Sequence, residues 1–302
     1  MGKILVIGGN GFVGGQLCRM GRARGYQVAV ADIAETCVDS ACEYHRCDIG
    51  DYEAILGTFK RSRPSLIVNV AAVADIDLAQ RRQELAYRVN VTGAENCARG
   101  AGEIGAKYLW FSSDAVFDGK AVCYTEESPQ APVNYYGETK SLGERRVMEA
   151  NAASVILRLS LVLGMPVAAG NSFLAGMVRK VRGGEQILCP VDEIRTPVDV
   201  LTLCEAIYEL DSTDFRGVLH LGSTSSVSRY EMSSYIAQEI QADPALIVPL
   251  YESAPGKAPR HRNGIISVEK AQRVLRTTAM LSWQGTVERA VSTIEEGGER
   301  NA

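Results

Sequence analysis

The sequence predicts an α/β protein built on a doubly wound parallel sheet, with a smaller C-terminal cap. Three observations carry this. Short apolar strands alternate with helical periods through the first half of the chain. A glycine-rich turn, Gly8-Gly9-Asn10-Gly11-Phe12-Val13-Gly14, joins the first strand to the first helix. After about Ser160 the pattern loosens into loops bearing Gly and Pro before a strand returns.

The elements follow in order. Strands are expected near Lys3 to Ile7, Gln27 to Ala31, Ala41 to Arg46, Leu66 to Ala71, Tyr108 to Ser112 and Ser154 to Leu159. Helices are expected between them, near Val13 to Arg24, Tyr52 to Arg61, Ala79 to Gly105 and Tyr135 to Ala150. Loops around Leu163 to Gly170 and Arg182 to Pro197 flank a further helix. Asp199 to Leu210 then reads as helix and Gly217 to Leu221 as a strand that returns to the sheet. Tyr230 to Gln241 reads as helix, and the Pro-rich stretch from Pro249 to Pro259 joins the first loop region in the cap. The expected division is 1–160 with 197–224 for the sheet domain, and 161–196 with 225–302 for the smaller one. The smaller unit should face the carboxyl ends of the strands, where open α/β sheets bind ligands.

Composition narrows the class. The 302 residues are 46% hydrophobic and 23% charged, enough for a folded core, and the net charge of -4 gives no field to attract nucleic acid. The N-terminus lacks the apolar h-region of a signal peptide, and no run approaches the ~20 apolar residues of a membrane span. A cytoplasmic protein without membrane partners is the expectation. The eight cysteines form no CxxC pair, which fits a reducing compartment. Cys37, Cys42, His45 and Cys47 are close enough in sequence to suggest a metal site. On a strand, however, His45 and Cys47 share a face from which Cys42 points away, so no metal is expected. No repeat or low-complexity tract is present.

The glycine turn makes the sheet a Rossmann sheet. Its GxxGxxG spacing needs backbone closeness that only glycine tolerates, and the helix start it exposes favours a pyrophosphate. Asp32 ends the second strand, where a carboxylate accepts from the adenosine ribose and repels a 2′-phosphate, favouring NAD while leaving NADP possible. A solvated loop acid is the plain alternative. Asp48 could accept from the adenine amine or equally serve as a helix N-cap. The small residues of Asn69-Val70-Ala71-Ala72 would let backbone approach the cofactor, or simply pack.

The chemistry lies in Phe111 to Gly119 (FSSDAVFDG) and in Tyr135-Tyr136-Gly137-Glu138-Thr139-Lys140. Tyr136 and Lys140, four apart on a helix, share one face. A nearby ammonium should lower the phenol toward working pH, as an acid-base catalyst requires. Ser113, ending the fifth strand, can hydrogen-bond the same substrate oxygen. Tyr135 is the rival phenol, five residues from Lys140.

Through these residues the sequence resembles the extended short-chain dehydrogenase/reductases, and within them the dTDP-4-dehydrorhamnose reductase family. The likeness extends over Asn69 to Asp77, Arg88-Val89-Asn90, Asn134 to Lys140, Arg158-Leu159-Ser160 and His220-Leu221-Gly222. The resemblance implies Ser113, Tyr136 and Lys140 as the catalytic set, with Tyr136 and Lys140 also at the cofactor. It places Gly8, Gly11, Phe12, Val13 and Gly14 at the phosphates, and Asp32, Asp48, Ile49, Ala71, Ala72 and Asn90 elsewhere around the cofactor. Asn90 could equally be an ordinary helix residue. Ser113 and Asp114 are implied at the substrate, and Arg195, Arg260 and Arg262 fall where relatives often hold a nucleotide phosphate. Solvated surface arginines are the alternative, and His261 between them receives no role. Ala115 and Leu161 stand where the family carries aromatic residues beside the sugar, which points to a different keto sugar.

The expected activity is therefore NAD(P)-dependent reduction of a keto group on a nucleotide-activated sugar, or oxidation of the alcohol. One alternative is a non-catalytic regulatory subunit resembling the methionine adenosyltransferase beta subunit. A nucleotide-sugar epimerase is another. The resemblance also implies a homodimer.

Overall fold

The computed structural model describes residues 2–167, 171–251 and 256–298. Seven strands form the central sheet: β1 (Lys3–Ile7), β2 (Gln27–Asp32), β3 (Glu43–Arg46), β4 (Leu66–Asn69), β5 (Lys107–Ser113), β6 (Val155–Leu159) and β7 (Gly217–Leu221). Every neighbouring pair is parallel, and the spatial order is β7-β6-β5-β4-β1-β2-β3. The order reverses between β1 and β4, which leaves a crevice there at the carboxyl edge.

Alternation along the strands builds two cores. Ile4, Val6, Val30, Leu66 and Val68 face one side with Leu17 of α1 (Phe12–Ala23) and Leu203. Leu5, Ile7, Ala31 and Ile67 face the other with Phe59 of α2 (Tyr52–Ser62), Ala98 of α3 (Ala94–Ile104) and Val147 of α4 (Tyr135–Ala150). Each buried Ile, Leu or Val contributes about 1.5–3 kcal/mol. Leu203 lies in α5 (Val200–Asp211), which is tied to α1 by Tyr208 Oη donating to the Leu17 carbonyl at 2.6 Å. A third apolar cluster joins Leu174 and Val178, Met232 and Ile236, and Val287 and Ala290, from helices Phe173–Arg182, Arg229–Glu239 and Trp283–Gly298.

The structure corrects three expectations. The helix expected over Ala79 to Gly105 is broken into Ile76–Arg81, Gln83–Tyr87, a π-helical turn Arg88–Gly93 and α3. Arg82 leaves helical geometry at φ -122° and ψ 59°, and a Cβ on Gly93 would lie 2.5 Å from Ile49, so the turn is fitted to its neighbour. The expected loop from Arg182 to Pro197 contains strands Ile187–Pro190 and Ile194–Arg195, paired with Ile247–Leu250 and with Val227–Ser228 and Asn263–Gly264. Strands this short carry no readable alternation. Helix Trp283–Gly298 was not anticipated, although Val287, Ala290, Val291 and Ile294 have helical spacing. Of the expected loops Leu163 to Gly170 and Pro249 to Pro259, residues 168–170 and 252–255 lie outside the described residues.

Cys42 packs into the core on the α1 side and Cys47 into the opposite one, while His45 bonds Glu43 at 2.7 Å. Among the described residues no three His, Cys, Asp or Glu side chains converge as a metal would require. No described helix is long and apolar enough to cross a membrane.

Candidate active site

The end of β1 is shaped by glycines. Gly8 has φ +81°, and a Cβ on Gly14 would sit 2.2 Å from the Gly8 carbonyl, so α1 starts hard against the strand end. A Cβ on Gly11 would meet only that carbonyl, at 3.3 Å. The turn thus leaves an open cradle, lined by Gly8, Gly11, Phe12, Val13 and Gly14, at one wall of a cavity of about 590 Å³. Ala72 lines the same cavity, and a dinucleotide phosphate fits the cradle. Asp32 stands beside the turn: its carboxylate accepts from the backbone N–H groups of Asn10 and Ala34, each at 3.1 Å.

Ser113, Asp114, Tyr136 and Lys140 meet in this cavity. β5 delivers Ser113, whose hydroxyl donates to Asp114 Oδ1 at 3.0 Å and accepts from the Ala115 N–H at 3.2 Å. The Asn134 side chain caps α4 by accepting from the Gly137 N–H at 2.9 Å. A Cβ on Gly137 would lie 2.1 Å from the Ala115 carbonyl, so its absence lets α4 close on the end of β5. Tyr136 is thereby set beside Ser113, whereas Tyr135 does not line the cavity. One turn on, Lys140 Nζ donates to the Phe111 carbonyl at 2.8 Å and lies 4.6 Å from the Trp110 ring centre. Behind it, Arg158 pairs with Glu144 through bonds of 2.8 and 2.7 Å, both side chains buried.

The electrostatics differ from the sequence expectation. Burial pushes the Tyr136 phenol up to about 12, against the opposing effect of the Ser113 hydroxyl. Burial also pushes Lys140 down to about 7, against the attraction of Glu144. Burial thus raises the phenol where the sequence predicts that an ammonium lowers it, and the same burial pushes Lys140 toward its neutral form. Asp114 moves the other way: burial would raise it, but His261, Arg195 and the Ser160 hydroxyl hold it down at about 2.

Several sequence-predicted residues are not brought to this cavity. Asp51, not Asp48, caps α2, while Asp48 accepts from the Gly50 N–H at 2.8 Å and from Arg88 at 2.6 Å. Ile49 is buried against Gly93, and Ala71 packs beside Gly8. Asn90 is buried as a clamp, bonding Val73 through its N–H and carbonyl and the Thr139 hydroxyl at 3.0 Å, which ties the segment after β4 to α4. Arg262 lies instead on a neighbouring cavity of about 330 Å³ and pairs with Asp192.

Arg195 and Arg260 do line the main cavity, but their forks are engaged. Arg195 is buried, donating to the carbonyls of Ile194, His261 and Arg262 and lying 3.7 Å from Asp114. Arg260 pairs with Asp77 at 3.0 Å and donates to the Ala258 carbonyl at 2.8 Å. Ala115 and Leu161 line the cavity too.

With this geometry in view, comparison with known proteins becomes specific. A model of the RmlD substrate binding domain matches residues 2–296. The chain belongs to this family. It is 30% identical over 268 residues to the spore coat polysaccharide biosynthesis protein SpsK of Bacillus subtilis, covering 88% of this chain and 89% of that one. Identity is 29% over 305 residues to the dTDP-4-dehydrorhamnose reductase of Escherichia coli, covering 97% and 98%. The methionine adenosyltransferase 2 subunit beta of Danio rerio is 28% identical over 71% of this chain and 70% of its own length. Among solved structures, the dTDP-4-dehydrorhamnose reductase of Bacillus anthracis in complex with NADP superposes with a TM-score of 0.86 at 27% identity, covering 96% of this chain and 99% of that one.

Two cavity residues of this RmlD-family chain escaped the sequence reading. His261 is buried with its Nε2 3.4 Å from Asp114, in a slot where a Cβ on Gly264 would come within 2.7 Å of that nitrogen. Arg229 lines both cavities from the first turn of its helix. Neither residue carries a motif: His261 reads as one more polar residue between two arginines, and Arg229 as a lone arginine between Ser228 and Tyr230.

Proposed function

We propose that the protein is a short-chain dehydrogenase-type oxidoreductase that uses NAD(P)H to reduce a ketone on a nucleotide-linked sugar, or runs the reverse oxidation. The observation that carries this reading is the convergence of Ser113, Tyr136 and Lys140 on the cavity that the glycine turn lines. The E. coli and B. anthracis relatives bear the name of a sugar-nucleotide reductase, the latter crystallised with NADP.

The cofactor's phosphates would lie against Gly8, Gly11, Phe12, Val13 and Gly14, with Ala71 and Ala72 flanking them and Asp32, Asp48 and Ile49 toward the adenosine. When bound, NAD(P)H supplies the hydride. Tyr136, still protonated at neutral pH because burial holds it near 12, donates its proton to the carbonyl oxygen as that oxygen gains charge. Ser113 orients the same oxygen, and its own hydrogen is steered by Asp114. Lys140 sits one helical turn from Tyr136 to hold the nicotinamide ribose, and Asn90 keeps that helix in place. Asp32, with no free cation presented in its turn, favours NADH over NADPH.

The reading assigns residues 1–160 and 197–224 to the cofactor and 161–196 and 225–302 to the substrate. The neighbouring cavity supports a nucleotide: it combines the cation of Lys257 with apolar walls from Leu188, Pro190 and Leu250. Ala115 and Leu161 put no aromatic ring at their two positions in the cavity, which favours a sugar other than 4-keto-rhamnose. A cytoplasmic homodimer completes the proposal.

The test is absorbance at 340 nm with NADH and NADPH against a panel of nucleotide-linked and free keto sugars. Turnover by the wild type that Tyr136→Phe abolishes, with cofactor binding kept, is the expected outcome. Tight cofactor binding without turnover on any sugar would overturn the reading in favour of a regulatory subunit.

A further inference from the structure

Five charged side chains line the main cavity or the one adjoining it on the cap side, and four of them have charged or carbonyl partners. Arg195 is held by three carbonyls, Arg260 by Asp77, and Arg262 by Asp192 on the adjoining cavity. Glu193 lies 3.6 Å from Arg195. Arg229 is the exception. Its guanidinium lies 4.2 Å from the centre of the Phe173 ring, but among the described residues it makes no ion pair and no side-chain hydrogen bond.

Such an arrangement is costly unless something completes it. Arg229 is only partly exposed, and burial pushes its pKa below the ordinary arginine value, with Glu193 and Cys189 opposing and Arg195 and Arg260 adding repulsion. Stacking on Phe173 holds the planar fork in place while leaving its N–H edge free. The backbone of Arg229 is fixed as well, since its N–H donates to the Glu193 carbonyl at 2.9 Å and Ser228 with Glu231 closes a capping box beneath it. A rigid, unpaired guanidinium at the junction of two cavities matches an oxyanion arriving from solvent.

We propose that Arg229 is a specificity-determining residue that binds an oxyanion carried by the substrate, a phosphate or a carboxylate on the part that does not react. This rests on the sugar-reductase reading of the cavity and adds to it the requirement for substrate charge. The role falls to Arg229 and not to the arginines that the sequence singles out, because their forks are occupied. A neutral sugar would leave Arg229 unpaired in a closed site, so discrimination against uncharged substrates follows from the same geometry.

Titration calorimetry tests this on the full chain, saturated with NAD⁺ or NADP⁺ so that nucleotide probes do not occupy the cofactor cradle. The probes are dTDP, inorganic pyrophosphate and D-glucuronate. Wild type should bind at least one, and Arg229→Met, which leaves an apolar side chain against Phe173, should weaken it by about ten-fold or more, with Arg229→Lys in between. Cofactor affinity and Tm should stay at wild-type values in both variants. Loss confined to dTDP and pyrophosphate identifies a phosphate source, and loss confined to glucuronate a carboxylate source. Equal affinities in wild type and variants, or no probe bound by wild type, would overturn the proposal. Should Arg229→Met fail to fold, an unweakened Arg229→Lys overturns it alone. Turnover of an uncharged sugar without anion binding would sink this inference while sparing the reductase reading. Arg229-dependent anion binding with no turnover would do the reverse.

Discussion

Replacing Lys140 by Met should make the cofactor-free protein more stable, because the native fold penalises the charge that this lysine would carry. Its side chain is 2% exposed and its pKa lies near 7 instead of 10.5. Above pH 10.5 the amine is neutral in both native and unfolded chains, so no penalty applies. Between 10.5 and 7 the unfolded chain binds a proton that the native state does not, and native stability falls as pH falls. At pH 7 the accumulated cost is about 4 kcal/mol. Methionine fills a similar volume without charge, but it forfeits the bond to the Phe111 carbonyl and the contact with Trp110, about 2 kcal/mol together. The net expectation is a gain of about 2 kcal/mol at pH 7, or roughly 4 °C in Tm for a chain of this size. Thermal unfolding of both proteins by circular dichroism from pH 7 to 10 checks it. The gain should shrink as pH rises, vanish near pH 9 and become a loss of about 1 kcal/mol at pH 10, where the penalty has fallen below the two forfeited contacts. A variant less stable than wild type at pH 7, or a difference independent of pH, would refute the reasoning.

Two further outcomes follow from the same contacts. Gly14→Ala places a methyl 2.2 Å from the Gly8 carbonyl and 2.7 Å from Gly9 Cα, backbone on both sides, so the cradle must open. NADH affinity measured by fluorescence titration should fall about ten- to a hundred-fold. Arg158→Met strands the buried Glu144 carboxylate without its cation, which should cost about 3–5 kcal/mol in urea unfolding, whereas the double variant with Glu144→Leu should recover most of it.

The sheet was readable because its strands are apolar runs punctuated by glycine turns, and alternation within β1 sends Ile4 and Val6 to one core and Leu5 and Ile7 to the other. Tyr136 and Lys140 were readable because a spacing of four survives into any helix. The cap was less so. Strands of two residues such as Ile194–Arg195 are defined by long-range pairing with Asn263 and Gly264, which no local pattern announces. Arg195 and Arg229 show the same limit at the site. Both are arginines near loops, and only the tertiary contacts decide that one is engaged by three carbonyls and the other left open. The pKa shifts were misread for a related reason: the sequence placed an ammonium near a phenol but could not show that both are buried.

The most direct test of the account follows the transferred hydride itself. NADH or NADPH carrying deuterium at both C4 positions of the nicotinamide is incubated with the enzyme and the keto sugar on which it turns over, and the product is followed by NMR. The account predicts one deuterium on the former carbonyl carbon, with Tyr136→Phe giving none above background. A product without deuterium at that carbon, or full incorporation by the Tyr136→Phe variant, would contradict it.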